Sequence, residues 1–519
     1  MSKTLKQTAP RKKNWLSPEF VRAMLAGHSA LGLAFAALIY IVCLSGTIAV
    51  FVMEFQRWEQ PEAPLVWEAP SAGVLQRAAT SAFDSAKQEA EHPDLSIAWD
   101  GSRTPHFTVR VRDHDSGLER EWLADGSGAL VEEIDAPWSE FLAHLHINLH
   151  IPQSYGLFIV GLTGVALLSS LISGVLSHPR IFRDAFAFRF GGSLRLQDAD
   201  LHNRLGVWGL PFHIAVSLTG ALLGLSVLII GVLAMAAYEG DSEKAFAEIL
   251  GPRAGENMEA APLPDLTALM QRVRDDHPEA AFRSVHVEHA GTAGQMTHLS
   301  MGVPGHLSVA TPYYFDGSGT LIGDGGLETG SIGQQILGAL QSVHFGWFAG
   351  MPVKIAYGLL GLALTIVTHT GVTIWLHRKR EKGNPAPFWE RVWSAVAWSQ
   401  PLALAIAALV ALSGATGFIL ASYLAATVAS LGIGILSEDG RTGGRLLRLL
   451  GGLTLLAVAV MHMAKFGVGG GADPMGAIVD AFLLGSGLVL SLSGVRPLAR
   501  RRVLAAGNNA PARRAMGDR

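Results

Sequence analysis

The chain has 519 residues, of which 49% are hydrophobic and only 16% are Asp, Glu, Lys or Arg, and its formal net charge is −3. Soluble chains carry about 25% charged residues, so this composition argues against an ordinary soluble enzyme. The near-neutral balance, with no basic run interleaved with aromatics, argues against a nucleic-acid partner. A single cysteine, Cys43, excludes an intrachain disulfide framework and any all-cysteine iron–sulfur or zinc site. Metal or redox chemistry therefore falls to the 19 histidines.

The N-terminal segment 1–28 is basic, with Lys3, Lys6, Arg11, Lys12, Lys13 and Arg22. An uncharged run over 29–53 follows, long enough for the roughly 20 residues of a membrane helix, and the charges ahead of it predict a cytoplasmic N-terminus. It is too long for a signal-peptide core and lacks a small-residue cleavage site, so it reads as a retained span. Region 54–150 holds 18 acidic against 7 basic residues. Its alternating segments at 107–112 and 121–131, broken by Asp125-Gly126, predict antiparallel strands joined by a tight turn. A second span covers 151–177, and the loop 178–204 carries Arg180, Arg183, Arg189 and Arg195. The third uncharged run covers 205–238. The loop 239–345 is acidic again, with 14 acidic against 5 basic residues in 239–340, and predicts a helix at 263–276, a strand at 284–288 and a hairpin at 313–322. A fourth span at 355–376 leads to the linker 377–392 with Arg378-Lys379-Arg380. The extension 393–495 reads as four more helices: 393–436 is about twice one crossing and breaks at 413–417, and runs at 449–465 and 476–493 follow. Arg441, Arg445 and Arg448, and Arg500–Arg502 in the tail 496–519, are placed inside. Eight crossings with both termini cytoplasmic and both acidic loops outside satisfy every loop. The predicted fold class is a mainly α, polytopic membrane protein with about 8 transmembrane helices and a small α+β module in each outer loop.

The chain also repeats itself. His28-Ser-Ala-Leu-Gly32 matches His202-Asn-Arg-Leu-Gly206, Gly46 matches Gly220, and a single offset, the one that carries position 28 onto 202, relates both pairs. The outer loops share Asp-Gly-Ser-Gly at Asp125 and Asp316, and spans 2 and 4 share Tyr-Gly-Leu at Tyr155 and Tyr357. Through about residue 380 the chain is a duplicated helix, module, helix unit, which makes a four-helix core. Duplication puts His28 and His202 at one depth near the inner face, while His144, His146, His150 and His344 stand at the outer ends of spans 2 and 4. Two histidines on different helices at one depth supply both axial ligands of a haem iron. Two such sites, on opposite sides of a hydrocarbon core of about 30 Å, predict a transmembrane electron path, and the absence of Cys-x-x-Cys-His makes the haems b-type.

A lone histidine at a helix end more often snorkels to water, but a polar residue duplicated at one membrane depth is costly without a role. His344 finds its partner in His146 or His150, four apart on one helical face, with His146 preferred because it precedes the apolar run by about one turn. His213 and His369, inside spans 3 and 4, rank lower, as does His144. His178 and His377 adjoin basic residues and read as interfacial anchors, and His462 in the seventh span reads as peripheral. Arg22 and Arg204 are close enough to the inner histidines to pair with haem propionates, a role that competes with positive-inside anchoring. Phe345, Trp347 and Phe348 beside His344 fit haem packing, a substrate surface or an aromatic belt. The glycine string 467–471 follows no strand, and no flavin or NAD site is expected.

The arrangement Arg22…His28…Leu31-Gly32…Ser45-Gly46-Thr47, Leu145-His146…Leu149-His150…Tyr155-Gly156, Ser173-Gly174, Asp200-Leu-His202…Gly206, Leu218-Thr219-Gly220 and His344-Phe-Gly346 resembles the PepSY-associated transmembrane family. The resemblance covers roughly residues 15–380. It implies PepSY-like modules in the outer loops and two b-type haems held by His28, His202, His344 and either His146 or His150. It also implies a bacterial inner-membrane location and outward passage of electrons from a quinol or cytoplasmic donor to a ferric siderophore or other ferric chelate in the periplasm. Residues 393–495 exceed the shortest family members and are expected to serve assembly, lipid packing or donor contact. A metal or siderophore permease using bundle histidines without haem, and a regulatory PepSY-containing membrane protein, are the competing readings.

Overall fold

The computed structural model describes residues 16–101, 104–186, 193–303, 305–469, 471 and 473–495. The expected cytoplasmic charges at Lys3, Lys6, Arg11, Lys12, Lys13, Arg189 and Arg500–Arg502 lie outside the described residues.

Helix α1 (Pro18–Ala34) starts where the Ser17 hydroxyl accepts from Phe20 N and Pro18 occupies the first turn. At Phe35 the chain turns by 69° into α2 (Ala36–Ala49), and α3 (Val52–Glu59) continues it. The second half of the repeat does the same. Ser193 caps α8 (Leu194–Trp208), the chain turns by 71° at Gly209 into α9 (Leu210–Gly224), and α10 (Ser226–Ala237) follows. The offset that relates His28 to His202 also carries the break at Phe35 onto the one at Gly209, and the break at Phe51 onto the one at Leu225. The runs at 29–53 and 205–238 are therefore not single straight spans. At Gly209 the cause is Pro211, which has no N–H to donate and whose ring crowds the carbonyl four residues back. Phe35 has no such neighbour, since the sequence holds no proline between Pro18 and Pro61.

Between the bent helices stand two unbroken ones, α6 (Gln153–Ser177) and α14 (Gly350–Glu381); the short α7 (Ile181–Asp184) leads from α6 to α8. Helices α1 and α9 pack on α6, and α8 and α2 pack on α14, which gives the core a pseudo-twofold form. Glycines let the backbones approach. A methyl group at Gly164 would stand 3.0 Å from Ala221 N, and one at Gly361 2.7 Å from Thr47 Oγ1; one at Gly161 would meet Leu225 and one at Gly358 would meet Phe51. These contacts set the register between α6 and α14, with Gly161 equivalent to Gly358 and Gly164 to Gly361. The shared Tyr-Gly-Leu is out of that register: Tyr155 is exposed, whereas Tyr357 is buried and donates to Val343 O at 2.6 Å.

The segments between the helices fold into a single antiparallel sheet. The first contributes α4 (Ala72–Ala86), β1 (Asp94–Asp100), β2 (Thr104–Arg112), β3 (Glu119–Ala124), β4 (Leu130–Glu133) and α5 (Pro137–Ile147). The second contributes α11 (Ser242–Leu250), α12 (Leu266–Asp276), β5 (Ala281–Glu288), β6 (Met296–Gly302), β7 (Thr311–Phe315), β8 (Leu321–Asp324) and α13 (Ile332–Phe345). Strand order is β4-β3-β2-β1-β5-β6-β7-β8. The expected two separate modules thus join through β1 and β5, with Leu95 opposite Val287 and Ile97 opposite Val285. One core beneath α4 and α12 includes Leu75, Ile97, Phe107, Leu269, Phe282 and Phe315. Both Asp-Gly-Ser-Gly turns are built alike. Asp125 Oδ1 accepts from Ser127 N, Ser127 Oγ and Ala129 N; Asp316 Oδ1 accepts from Ser318 N, Ser318 Oγ and Thr320 N. Gly128 and Gly319 supply the positive φ of 87° and 81° that closes each turn.

The extension forms α15 (Pro387–Leu412), a 3₁₀ turn at Thr416–Phe418, α16 (Ile419–Leu436), α17 (Gly440–Phe466) and α18 (Pro474–Val495). Among the described residues six helices are long and apolar enough to cross a membrane, and eight spans result if each bent pair counts as one. The chain is a multi-pass membrane protein. His462, expected to be peripheral, is fully buried: its Nδ1 bonds Asp480 Oδ2 at 2.9 Å and its Nε2 bonds Trp58 O at 2.7 Å.

Candidate functional site

Two cavities lie inside the four-helix core, one at the sheet end of about 260 Å³ and one at the far end of about 310 Å³, both with mostly apolar walls. Each contains one histidine pair. At the far end His28 of α1 faces His202 of α8 with ring centres 6.1 Å apart. At the sheet end His146 of α5 faces His344 of α13 with ring centres 6.2 Å apart and planes within 18°. Metal–imidazole bonds are about 2 Å and a ring centre lies about 1 Å behind its nitrogen, so two imidazoles on opposite sides of one ion stand about 6 Å apart. Both pairs have that separation.

The contacts behind the rings repeat with the chain. His28 Nδ1–H donates to Ser170 O at 2.8 Å, and His202 Nδ1–H donates to Val367 O at 2.9 Å; Ser170 and Val367 are equivalent in the register that relates α6 to α14. His146 Nδ1–H donates to Val42 O at 3.0 Å, beside Ser45; His344 Nδ1 bonds Thr219 Oγ1 at 3.0 Å and lies against Val216 O. Val42 and Val216, and Ser45 and Thr219, are equivalent under the offset that relates His28 to His202. With Nδ1 engaged, Nε2 is the nitrogen left for a metal, and a backbone acceptor behind a ligating histidine fixes its tautomer and ring angle. Glycine makes room for each ring. A methyl group would stand 2.5 Å from His146 at Gly46, 2.9 Å from His344 at Gly220, 3.1 Å from His28 at Gly174 and 3.4 Å from His202 at Gly371. The four glycines, two of which the sequence repeat matches, complete the same pattern.

Each pair offers two nitrogens, and among the described residues no group of three or more His, Cys, Asp or Glu side chains is placed to hold a bare ion. A ligand that brings its own nitrogen donors, as a haem does, would complete such a site. The pairs, the anchored Nδ1 atoms and the apolar walls fit that group; His28 and His202 would hold one and His146 and His344 the other.

The remaining candidates fall elsewhere. The chain leaves helical geometry at Leu149 and His150, with φ of 56° and 54°, so His150 turns back to stack on Phe141 and bond its carbonyl at 2.9 Å. His144 is half-exposed near Glu140. His213 is buried in α9 with Nε2 3.4 Å from Leu360 O, and His369 stacks on Trp393; neither lines either of these cavities. His178 lines the far cavity. His377 lies 3.2 Å from Asp198. Arg22 is exposed, and Arg204 lies 3.8 Å from Asp200. Among the described residues the Lys or Arg that lines the far cavity is Arg378, which the sequence marks only as an inside charge. At the sheet end Phe345 lines the cavity and stacks on Trp347, with Gln341, Tyr357 and Thr163 as polar neighbours. Ile39 and Leu167 line both cavities and are shared between them.

A duplicated helical core with one histidine pair in a cavity at each end, joined to an antiparallel sheet, defines the class of protein. The chain belongs to the family described as the PepSY-associated TM region, whose model matches residues 25–378. It is also similar to an uncharacterized protein of Pseudomonas aeruginosa, 30% identical over 256 residues that make up 47% of this chain and 64% of the relative. The match thus spans less than two thirds of that relative's length.

Proposed function

We propose that the protein is a di-haem electron-transfer protein of the bacterial inner membrane that reduces a ferric chelate, with a ferric siderophore as the best-matched acceptor. The observation that carries this reading is the pair of repeat-related histidine couples, each about 6 Å across with Nδ1 pinned to a carbonyl or hydroxyl. When bound, a haem would supply reversible one-electron chemistry at a potential tuned by burial and hydrogen bonding.

The chain's own residues do the rest. Ser170, Val367, Val42 and Thr219 engage Nδ1 of the four rings and so would leave Nε2 for a metal. The apolar walls exclude water, and Ile39 and Leu167 bring the two sites within a shared wall. Arg378 gives the far cavity a positive charge suited to a carboxylate. The acidic outer segments and the basic connecting loops support a periplasmic sheet by the positive-inside rule, and an acceptor there would meet the His146–His344 end. Reduction suits a ferric chelate: Fe(III) is held by hard oxygen donors, and one electron gives Fe(II), which those donors hold less tightly. The electron donor is a quinol or a cytoplasmic reductase acting at the His28–His202 end.

Purified protein should show a dithionite-reducible Soret and α-band spectrum, and the pyridine haemochrome assay should give two b-type haems per chain. A colourless protein that still carries iron or siderophore across the membrane would overturn this reading in favour of a permease.

A further inference from the structure

The two halves of the core are alike except in what covers them. In the second half, α13, which carries His344, has one buried residue, Ser342, and exposes Ile332 and Ile336. In the first half, α5, which carries His146, buries Trp138, Ser139, Phe141, Leu142 and Leu145. The cover is the C-terminal bundle. Phe55 and Trp58 of α3 and Phe141, Leu142 and Leu145 of α5 form one core with residues of α15–α18.

Buried polar bonds fix the register of this joint. Arg57 of α3 makes two 2.6 Å bonds to Asp473. Trp58 Nε1 donates to Asp480 Oδ1 at 2.9 Å, and Asp480 Oδ2 accepts from His462, whose ring stacks on Trp58 at 4.5 Å. From α3 the constraint passes to the start of α5, where Glu59 accepts from Trp138 N at 2.8 Å, Ser139 N at 2.9 Å and Ser139 Oγ at 2.5 Å. Trp138 Nε1 in turn donates to Leu404 O at 3.2 Å, and Phe141 packs edge-on against Tyr423, whose hydroxyl bonds Gln400. Each of these groups is buried, so each loses its partner at a cost if the joint shifts.

We infer that the C-terminal four-helix bundle is a positioning device for His146. It clamps α5 through Asp473, Asp480 and Trp138 while leaving α13 and His344 on the open side of the same site. Asp473, Asp480 and Trp138 are positioning residues that touch no cofactor. The inference rests on the proposed haem ligation for its consequence, but the clamp itself can be read without haem.

The test uses the full chain with Asp480→Leu, and Trp138→Phe as a milder variant that keeps an aromatic ring and removes the bond to Leu404. Hydrogen exchange on haem-free protein should quicken about tenfold in 137–147 and stay unchanged in 332–345. In the haem-loaded variants the signal of the sheet-end haem should shift or fall while the far-end haem keeps its spectrum and potential, and Asp480→Asn, which keeps one acceptor oxygen, should restore most of it. Glu390→Gln, at a half-buried pair with the exposed Arg380 on the other end of α15, should change neither. Equal quickening in both helices, or unchanged exchange in α5 with both buried-joint variants, would overturn the inference. A wild-type protein without haem whose variants nevertheless show selective α5 exchange would overturn the proposed function and leave the clamp standing.

Discussion

Gly46 and Gly220 sit in the same place in the two halves, and a methyl group at either would crowd a ring that cannot easily yield, because Val42 O or Thr219 Oγ1 holds its other side. Overpacking of this kind costs about 1–3 kcal/mol, expressed here as a turned imidazole ring. Gly46→Ala should therefore weaken haem retention at the sheet end more than Gly371→Ala weakens it at the far end, where the contact is 3.4 Å; haem per chain after gel filtration measures both. His28→Ala or His202→Ala should remove the far-end haem and leave the other reducible by dithionite, and His344→Ala should do the reverse. A different residue-scale prediction concerns the sheet. Asp125 and Asp316 are held below the usual carboxylate range, first by the hydroxyls of Ser127 and Ser318 and then by turn amides. A lowered carboxylate pKa contributes stability that is complete above the unfolded value of about 3.9 and is lost as pH falls through the folded value. The amides of Ser127 and Ser318 should lose exchange protection, relative to the strand interiors, only below about pH 4. Loss of that relative protection at neutral pH would show that the carboxylates do not hold the turns.

Helix α3 is short, yet it joins three parts of the molecule: Lys354 of α14 reaches both oxygens of Glu54 at 2.6 Å, and both side chains are buried. Removing one member leaves an uncompensated buried charge, worth about 3–5 kcal/mol. Lys354→Met should lower the thermal midpoint strongly, and Lys354→Met with Glu54→Leu should recover most of it; a double variant as unstable as the single would contradict the pairing. At this scale the sequence was readable where a pattern is local. Apolar runs, loop charges and the Asp-Gly-Ser-Gly turns identify helices and hairpins, and the duplicated His28 and His202 stand out as a candidate site because duplication is itself local to read. Long-range features were not. The bend at Phe35 carries no proline, the pairing of β1 with β5 joins strands from opposite halves of the repeat, and the choice between His146 and His150 depends on left-handed backbone at Leu149 and His150 that helical spacing does not foresee. Arg378 was visible as a charge, but its place in the cavity follows from the length of α14.

Across the whole molecule, duplication supplies two equivalent sites and the extension makes them unequal in surroundings. The sheet-end cavity is lined by α5 and α13, the helices that follow the two strand segments, while the far-end cavity is lined by the first segments of the bent pairs, α1 and α8. On the proposed reading that arrangement would give an electron path a direction, and sidedness is its most direct test. Protein reconstituted with the sheet outward, with a reductant sealed inside and a membrane-impermeant ferric chelate plus an Fe(II)-trapping dye outside, should form Fe(II) in the outer medium. The rate should collapse in both His28→Ala and His344→Ala, since each removes one of two sites in series. Fe(II) formation that needs chelate and reductant on the same side, or that persists undiminished in both variants, would contradict the account.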